Sequence, residues 1–153
     1  VQISRDNLER LIQQQGAPII PVGTTTVRTL ESVYWFGVKL SLHPDLAQMH
    51  VNQWDPYELE DNAPSMVEAY RNVIRWMDQH EVTHLDGDTQ LMIAPGYHYH
   101  VATGLITNFH QPKSTLLLLV SALIGDKWKE CYQYALDNNF RFLSYGDSCL
   151  FLP

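Results

Sequence analysis

The chain has 153 residues, 45% of them hydrophobic and 18% charged, which excludes a disordered segment and suits one domain with a sizeable core. Its formal charge of −7 is gathered in one place: ten of the seventeen acidic residues lie between Asp45 and Asp88, where only Arg71 and Arg75 are basic. That segment reads as a solvated acidic face that repels nucleic acid, while the near-neutral flanks do not.

In chain order, Ser4 caps a helix to about residue 15, with Leu8, Leu11 and Ile12 on one face and Gly16 as its stop. APIIPVG (17–23) reads as a short strand, and TTTVRTLESVYWFG (24–37) as a helix ended by Gly37. Residues 38–61 carry no regular pattern. Asn62 caps an amphipathic helix over about 64–80, with Met66, Tyr70, Val73, Ile74 and Met77 as its stripe. HLDGDT (84–89) carries the residues of a tight turn. QLMIA (90–94), YHYHVA (97–102) and GLITNF (104–109) read as strands. Ser114 caps a leucine-rich helix ended by Gly125, and Asp126 caps the next. FRFLSYG and CLFL close the chain as strands. Early alternation of helix and strand followed by a strand-rich part predicts an α/β fold, a mixed sheet flanked by helices.

The leucine-rich run is broken by Ser121 and Gly125 and is too short to span a bilayer. Cys131 and Cys149 lie far apart without a metal-type partner, so buried or bystander thiols in a reduced, cytoplasmic setting are expected. The chain opens on Val1 with no methionine and no signal peptide, which suggests an excised fragment.

Three polar turns interrupt these elements. In VGTTTVR (22–28) a strand runs through Gly23 into a helix start, where free N–H groups and the dipole favour an anion; Thr24, Thr25 and Arg28 add donors. The glycine spacing and lysine of a Walker A loop are missing, and plain helix capping accounts for the same residues. In TNFHQPKST (107–115), Asn108 and His110 alternate on an extended segment, and Lys113, Ser114 and Thr115 stand at a helix start. A cation is unfavourable there unless an anion binds, and His110 is a candidate acid or base near neutral pH. A capped core helix with solvated polar residues is the competing reading. In SYGDS (144–148), Asp147 forms a turn or offers a carboxylate, and Tyr145 stacks on a base or packs. His98 and His100, at i and i+2 on a strand, have a metal-compatible spacing with His110 nearby, but no fixed acidic third ligand.

VGTTTVRTLES (22–32), the segment 95–125 containing TNFHQPKSTLLLLV, and FRFLSYGDSCLF (140–151), in that order, resemble the S-adenosylmethionine:tRNA ribosyltransferase-isomerase family of queuosine biosynthesis. The resemblance covers most of residues 1–37 and 91–153. It implies transfer of the ribosyl part of S-adenosylmethionine onto 7-aminomethyl-7-deazaguanine in tRNA, giving epoxyqueuosine with release of adenine and methionine. No metal or redox cofactor is implied, and S-adenosylmethionine is a co-substrate. The resemblance assigns anion holding to Thr24, Thr25 and Arg28, and a second wall to Asn108, His110, Lys113, Ser114 and Thr115. Proton transfer falls to His110, with Asp147 behind it and Tyr145 against substrate. It further implies a single α/β domain fragment over 1–153, part of the family's larger α/β domain, without an N-terminal portion or the small β-barrel domain. The stretch 38–90 stands as an acidic, partly helical insertion, expected away from the tRNA-facing side. A monomer, inactive as an isolated fragment, is expected. Gln111, the Asp147–Ser148–Cys149 run and Ala102–Thr103–Gly104 depart from the family pattern. Two readings stand beside it: a diverged paralogue acting as a binding module or on another substrate, and a metal-assisted hydrolase built on His98, His100 and His110.

Overall fold

The computed structural model describes the chain apart from Gln15, Pro112, Lys113 and Ser144 and the side chain of Asn62. Its residues gather into two compact units, one of residues 1–17 and 29–92, the other of residues 18–28 and 93–153. The fold is α/β, with small sheets and flanking helices.

The first unit is built on a three-stranded mixed sheet. Its central strand β3 (His84–Thr89) runs antiparallel to β1 (Gln2–Ser4), with Leu85 opposite Ile3, and parallel to β2 (Met49–Val51), with Gly87 opposite Met49. HLDGDT is therefore a central strand and not the expected turn. Gly87 is there because a Cβ would lie 2.4 Å from the Met49 side chain. Helix α1 (Arg5–Gln13) starts at Ser4 as predicted, the serine hydroxyl accepting the Asn7 N–H at 3.2 Å. Arg5 reaches the Asp78 carboxylate of α4 (Met66–Gln79) at 2.9 Å. The N-cap of α4 is Ser65, which accepts the Glu68 N–H, so Asn62 is not the cap. Its stripe is as expected at Tyr70, Val73 and Met77, all fully buried.

Helix α2 spans Thr24–Leu42 and passes straight through Gly37, the expected stop. At that point a Cβ would stand 2.2 Å from the Ala69 carbonyl oxygen, so the glycine lets α4 approach the α2 backbone. From Leu30 to Val38 every residue of α2 is buried, as expected for a helix clothed on all sides. The stretch 38–90, expected to be an insertion and irregular at first, supplies β2, β3, the short helix α3 (Asp55–Leu59) and α4.

The second unit holds an antiparallel pair, β4 (Leu105–Asn108) and β5 (Ser148–Phe151), and helices α5 (Thr115–Ile124) and α6 (Lys127–Asp137). Of the expected strand 17–23, Val22 alone bridges β4, in parallel at Ile106. Residues 90–94 and 97–102 are not strands. Their alternating apolar residues, among them Leu91, Ile93, Tyr97 and Val101, are buried without a ladder. Of the expected strand 140–146, residues 140–143 and 145–146 form no strand. Gly125, at φ +60°, ends α5 as predicted. Asp126 makes no side-chain cap; its carboxylate accepts from Lys129 Nζ at 2.7 Å. Helix α6 closes with Asn139 in the left-handed region (φ 58°) and Phe140 N–H returning to the Ala135 carbonyl at 2.9 Å, a Schellman ending. Among the described residues no helix is long and apolar enough to cross a membrane.

One buried ion pair ties the first unit together. Asp55, 8% exposed, accepts from Lys39 Nζ at 2.7 Å and from the Asn52 N–H and Nδ2 at 2.8 and 3.0 Å. Burial pushes the Asp55 carboxyl up, but the Lys39 and Asn52 hydrogen bonds outweigh it and hold it below its ordinary 3.8. A depressed carboxylate stabilises the fold above its unfolded pKa, and the contribution is lost as pH falls through the folded value. Asp55→Ala, which leaves Lys39 Nζ without its counter-ion, is expected to lower stability by about 3 kcal/mol in urea unfolding at pH 7. The gap should persist at pH 4 and narrow only as pH falls through the folded Asp55 pKa, which lies below 3.8, because the wild-type carboxylate is itself discharged there.

Candidate active site

The nine sequence-predicted site residues that are described belong to the second unit, and they come from three places: the start of α2, the exit of β4 with the start of α5, and the turn before β5. This unit carries five basic and four acidic residues, against five basic and thirteen acidic in the other. The acidity of the chain is thus confined to the unit that lacks the site residues, and a polyanion meets no net repulsion from the unit that has them.

The start of α2 is tied to β4. Gly23, at φ +86°, donates its N–H to the Ile106 carbonyl at 2.8 Å, and Ile106 N–H returns to the Pro21 carbonyl at 2.9 Å. The positive φ turns the chain into the helix at little cost because glycine has no Cβ. Thr26 spends its hydroxyl on the Val22 carbonyl at 2.8 Å, whereas Thr24 and Thr25 have no side-chain hydrogen bond among the described residues. First-turn N–H groups have no intrahelical acceptor, so this end offers donors. Arg28, one turn further, is half-buried, and its Nε is shielded from solvent with no hydrogen-bond partner among the described residues.

At the exit of β4, His110 is held at two points, one on its main chain and one on its ring. Its main-chain N–H donates to the Tyr132 hydroxyl at 3.0 Å, and its Nε2 lies 3.1 Å from Thr107 Oγ1. Burial pushes the imidazole below its ordinary 6.5, so the ring is neutral at pH 7. Asn108 extends its Nδ2 toward the Gly146 and Asp147 carbonyls at 3.4 and 3.5 Å, both long contacts that bring the β4 exit beside the turn. Ser114 caps α5 through Leu116 N–H at 3.1 Å, and Thr115 is exposed. Lys113 lies outside the described residues. A recess of about 400 Å³ opens at this helix start, lined by Ser114, Thr115, Leu117, Leu118, Ser121 and Trp128.

The turn before β5 is built around Asp147. Its carboxylate accepts from the Arg141 main-chain N–H at 2.7 Å and from Arg141 Nη2 at 3.0 Å, and Arg141 holds it below its ordinary range. Asp147 N–H donates to the Arg141 carbonyl at 2.9 Å, and a Cβ on Gly146 would stand 2.4 Å from that same oxygen. Leu143 sits at φ +69°, an unfavourable conformation for leucine, anchored by its N–H to the Phe109 carbonyl at 2.9 Å. Phe140 and Phe142 pack on Phe109 at ring separations of 5.7 and 5.4 Å. The hoop so formed projects Tyr145, 97% exposed. No hydrogen bond joins Asp147 to His110 among the described residues; its carboxylate closes the hoop. Nor, among those residues, do three or more His, Cys, Asp or Glu side chains gather as metal ligands, at His98 and His100 or elsewhere.

Sequence comparison then places the chain. A family model described as queuosine biosynthesis protein matches residues 1–151. The chain belongs to the queuosine biosynthesis protein family. It is similar to proteins named S-adenosylmethionine:tRNA ribosyltransferase-isomerase from Erythrobacter litoralis, 52% identical over 99% of this chain, and from Ruegeria pomeroyi, 51% identical over 90%. These matches span 33% and 28% of the relatives' own lengths. Among solved structures, the chain is similar to the S-adenosylmethionine tRNA ribosyltransferase of Thermotoga maritima, with a TM-score of 0.64 and 29% identity over 99% of this chain and 39% of that one. This stretch of the queuosine family therefore corresponds to about a third of its relatives' length.

Thr107 and Tyr132 escape sequence reasoning, whereas Cys149 answers the expectation of a buried or bystander thiol. Thr107 is 7% exposed, and its carbonyl accepts the Cys149 thiol at 3.1 Å. Burial pushes that thiol up to about 11, so it is protonated at neutral pH. Cys131, by contrast, is exposed. Labelling the native protein with a disulfide reagent at pH 8 is therefore expected to modify Cys131 rapidly and Cys149 only on unfolding, giving one fast thiol per chain.

Proposed function

We propose that this chain is the portion of an S-adenosylmethionine:tRNA ribosyltransferase-isomerase that carries one wall of the active site. The activity moves the ribosyl group of S-adenosylmethionine onto 7-aminomethyl-7-deazaguanine in tRNA, yielding epoxyqueuosine, adenine and methionine. The observation that carries the reading is the convergence of the family-matching segments on one unit, where the start of α2, the β4 exit and the Asp147 hoop are hydrogen-bonded to β4 or its exit. Partners in this reading are tRNA and S-adenosylmethionine as substrates, with no metal or redox cofactor, in the cytoplasm.

Each residue takes a part its chemistry allows. Thr24, Thr25 and the unsatisfied Arg28 Nε hold an anion, a tRNA phosphate or the methionine carboxylate, at the positive end of α2. Asn108, Ser114 and Thr115 form the second wall; Lys113, assigned to it by the resemblance, lies outside the described residues. Tyr145 stacks on an unpaired base, which suits a ring presented almost wholly to solvent. His110 meets the reacting centre as a neutral imidazole. Asp147 acts through the hoop it closes.

The test grafts residues 1–151 into the matching third of the Erythrobacter litoralis relative. With S-adenosylmethionine and tRNA bearing the aminomethyl-deazaguanine base, the folded chimera is expected to release adenine and form the modified nucleoside. A folded chimera that releases none, beside an active parent, overturns the reading. The isolated chain is expected to be inactive, because a partial constellation does not position both substrates. Since the folded His110 pKa is below 6.5 and the neutral ring is the working form, turnover should hold from pH 8 to 6.5 and decline only below that. A decline already complete at pH 7 would remove His110 from this part.

A further inference from the structure

Building on the part given to His110 above, we propose that Thr107 is a positioning residue that locks the neutral His110 ring in its Nδ1–H tautomer, so that His110 meets the substrate as a hydrogen-bond donor.

The donor count around Thr107 decides the tautomer. Thr107 lies on β4 with its side chain in the buried row, opposite Cys149 in the β5 register. Its carbonyl is taken by the Cys149 thiol, and its hydroxyl has one described partner, His110 Nε2 at 3.1 Å. A hydroxyl has one hydrogen to give, and a neutral imidazole has one N–H and one bare nitrogen. If Nε2 carried the hydrogen, it would donate to Oγ1 and leave the hydroxyl hydrogen of a residue 7% exposed with no described acceptor, a costly arrangement. If the hydroxyl donates to a bare Nε2, both groups are satisfied and the ring hydrogen sits on Nδ1. Tyr132 completes the clamp by accepting the His110 main-chain N–H at 3.0 Å, and its own ring is packed against Phe109, 5.3 Å away. The ring therefore has Nδ1 as its one uncommitted nitrogen among the described residues.

The chemical consequence is specific. With Nε2 engaged and Nδ1 protonated, the ring has no free lone pair to take a proton. A neutral imidazole N–H instead polarises or steadies an oxygen, here a ribosyl oxygen or a carboxylate of the co-substrate. Removal of the proton from substrate then belongs to another group.

The experiment needs no substrate, so its outcome is separate from that of the turnover assay. Uniformly 15N-labelled protein is examined by long-range 1H–15N correlation of its seven histidine rings, His110 being identified by its loss in His110→Asn. At pH 7.5 wild-type His110 is expected to show a protonated Nδ1 and a bare Nε2, and Thr107→Ser, which keeps the hydroxyl, should give the same pattern. Thr107→Val, which keeps the strand-compatible shape, is expected to move the hydrogen to Nε2 in most molecules. A bare Nδ1 in the wild type overturns the proposal by itself, whatever the variants do. So does a Thr107→Val spectrum with the wild-type pattern.

Discussion

The main chain of Ile106 holds the second unit in order. Its N–H and carbonyl both turn toward Pro21 and Gly23, while its neighbour across the antiparallel pair is Leu150. In an antiparallel ladder a residue gives both main-chain groups to one side, so Leu105 and Thr107 carry the bonds to β5 and Ile106 is left for the other edge. That single residue therefore sits between two chain segments far apart in sequence. It fixes the start of α2 on one side and, through the register of Thr107 with Cys149 and Asn108 with Ser148, the hoop before β5 on the other. A shift of one residue would turn Thr107 to the opposite face and take the hydroxyl from His110.

Much of the helical structure was legible from local chemistry. Ser4 and Ser114 cap because their hydroxyls satisfy an N–H two or three residues on, and Gly125 ends α5 because it tolerates a positive φ. Those are interactions within one turn, and the sequence displays both partners side by side. The misreadings share a cause. Gly37 and Gly87 look like punctuation, yet each is small because another backbone or side chain comes close, Ala69 in one case and Met49 in the other. A glycine required by a neighbour and a glycine required by its own φ are the same letter. Likewise the apolar alternation in 90–102 records burial, and burial does not require a ladder.

The candidate site shows the same division. The three polar segments are readable because their residues are contiguous and resemble a family's. Asp147 read as a turn former or a site carboxylate, but its partner Arg141, six residues away through a turn that no periodicity announces, stayed hidden. Thr107 read as one more strand residue, and Tyr132 as one more residue of the helix after Asp126. Their common partner His110 is contacted through a strand exit in one case and across 22 residues in the other. Hydrogen bonds of that kind exist only after the fold has formed.

Cys149 bears on chemical safety. A thiolate is the protein nucleophile that alkylating electrophiles modify first. The thiol one strand from His110 has its hydrogen directed to the Thr107 carbonyl and is held as the poorly nucleophilic SH form. A cysteine can therefore stand beside β4 without becoming a target, and the burial that comes with pairing β5 to β4 supplies the protection.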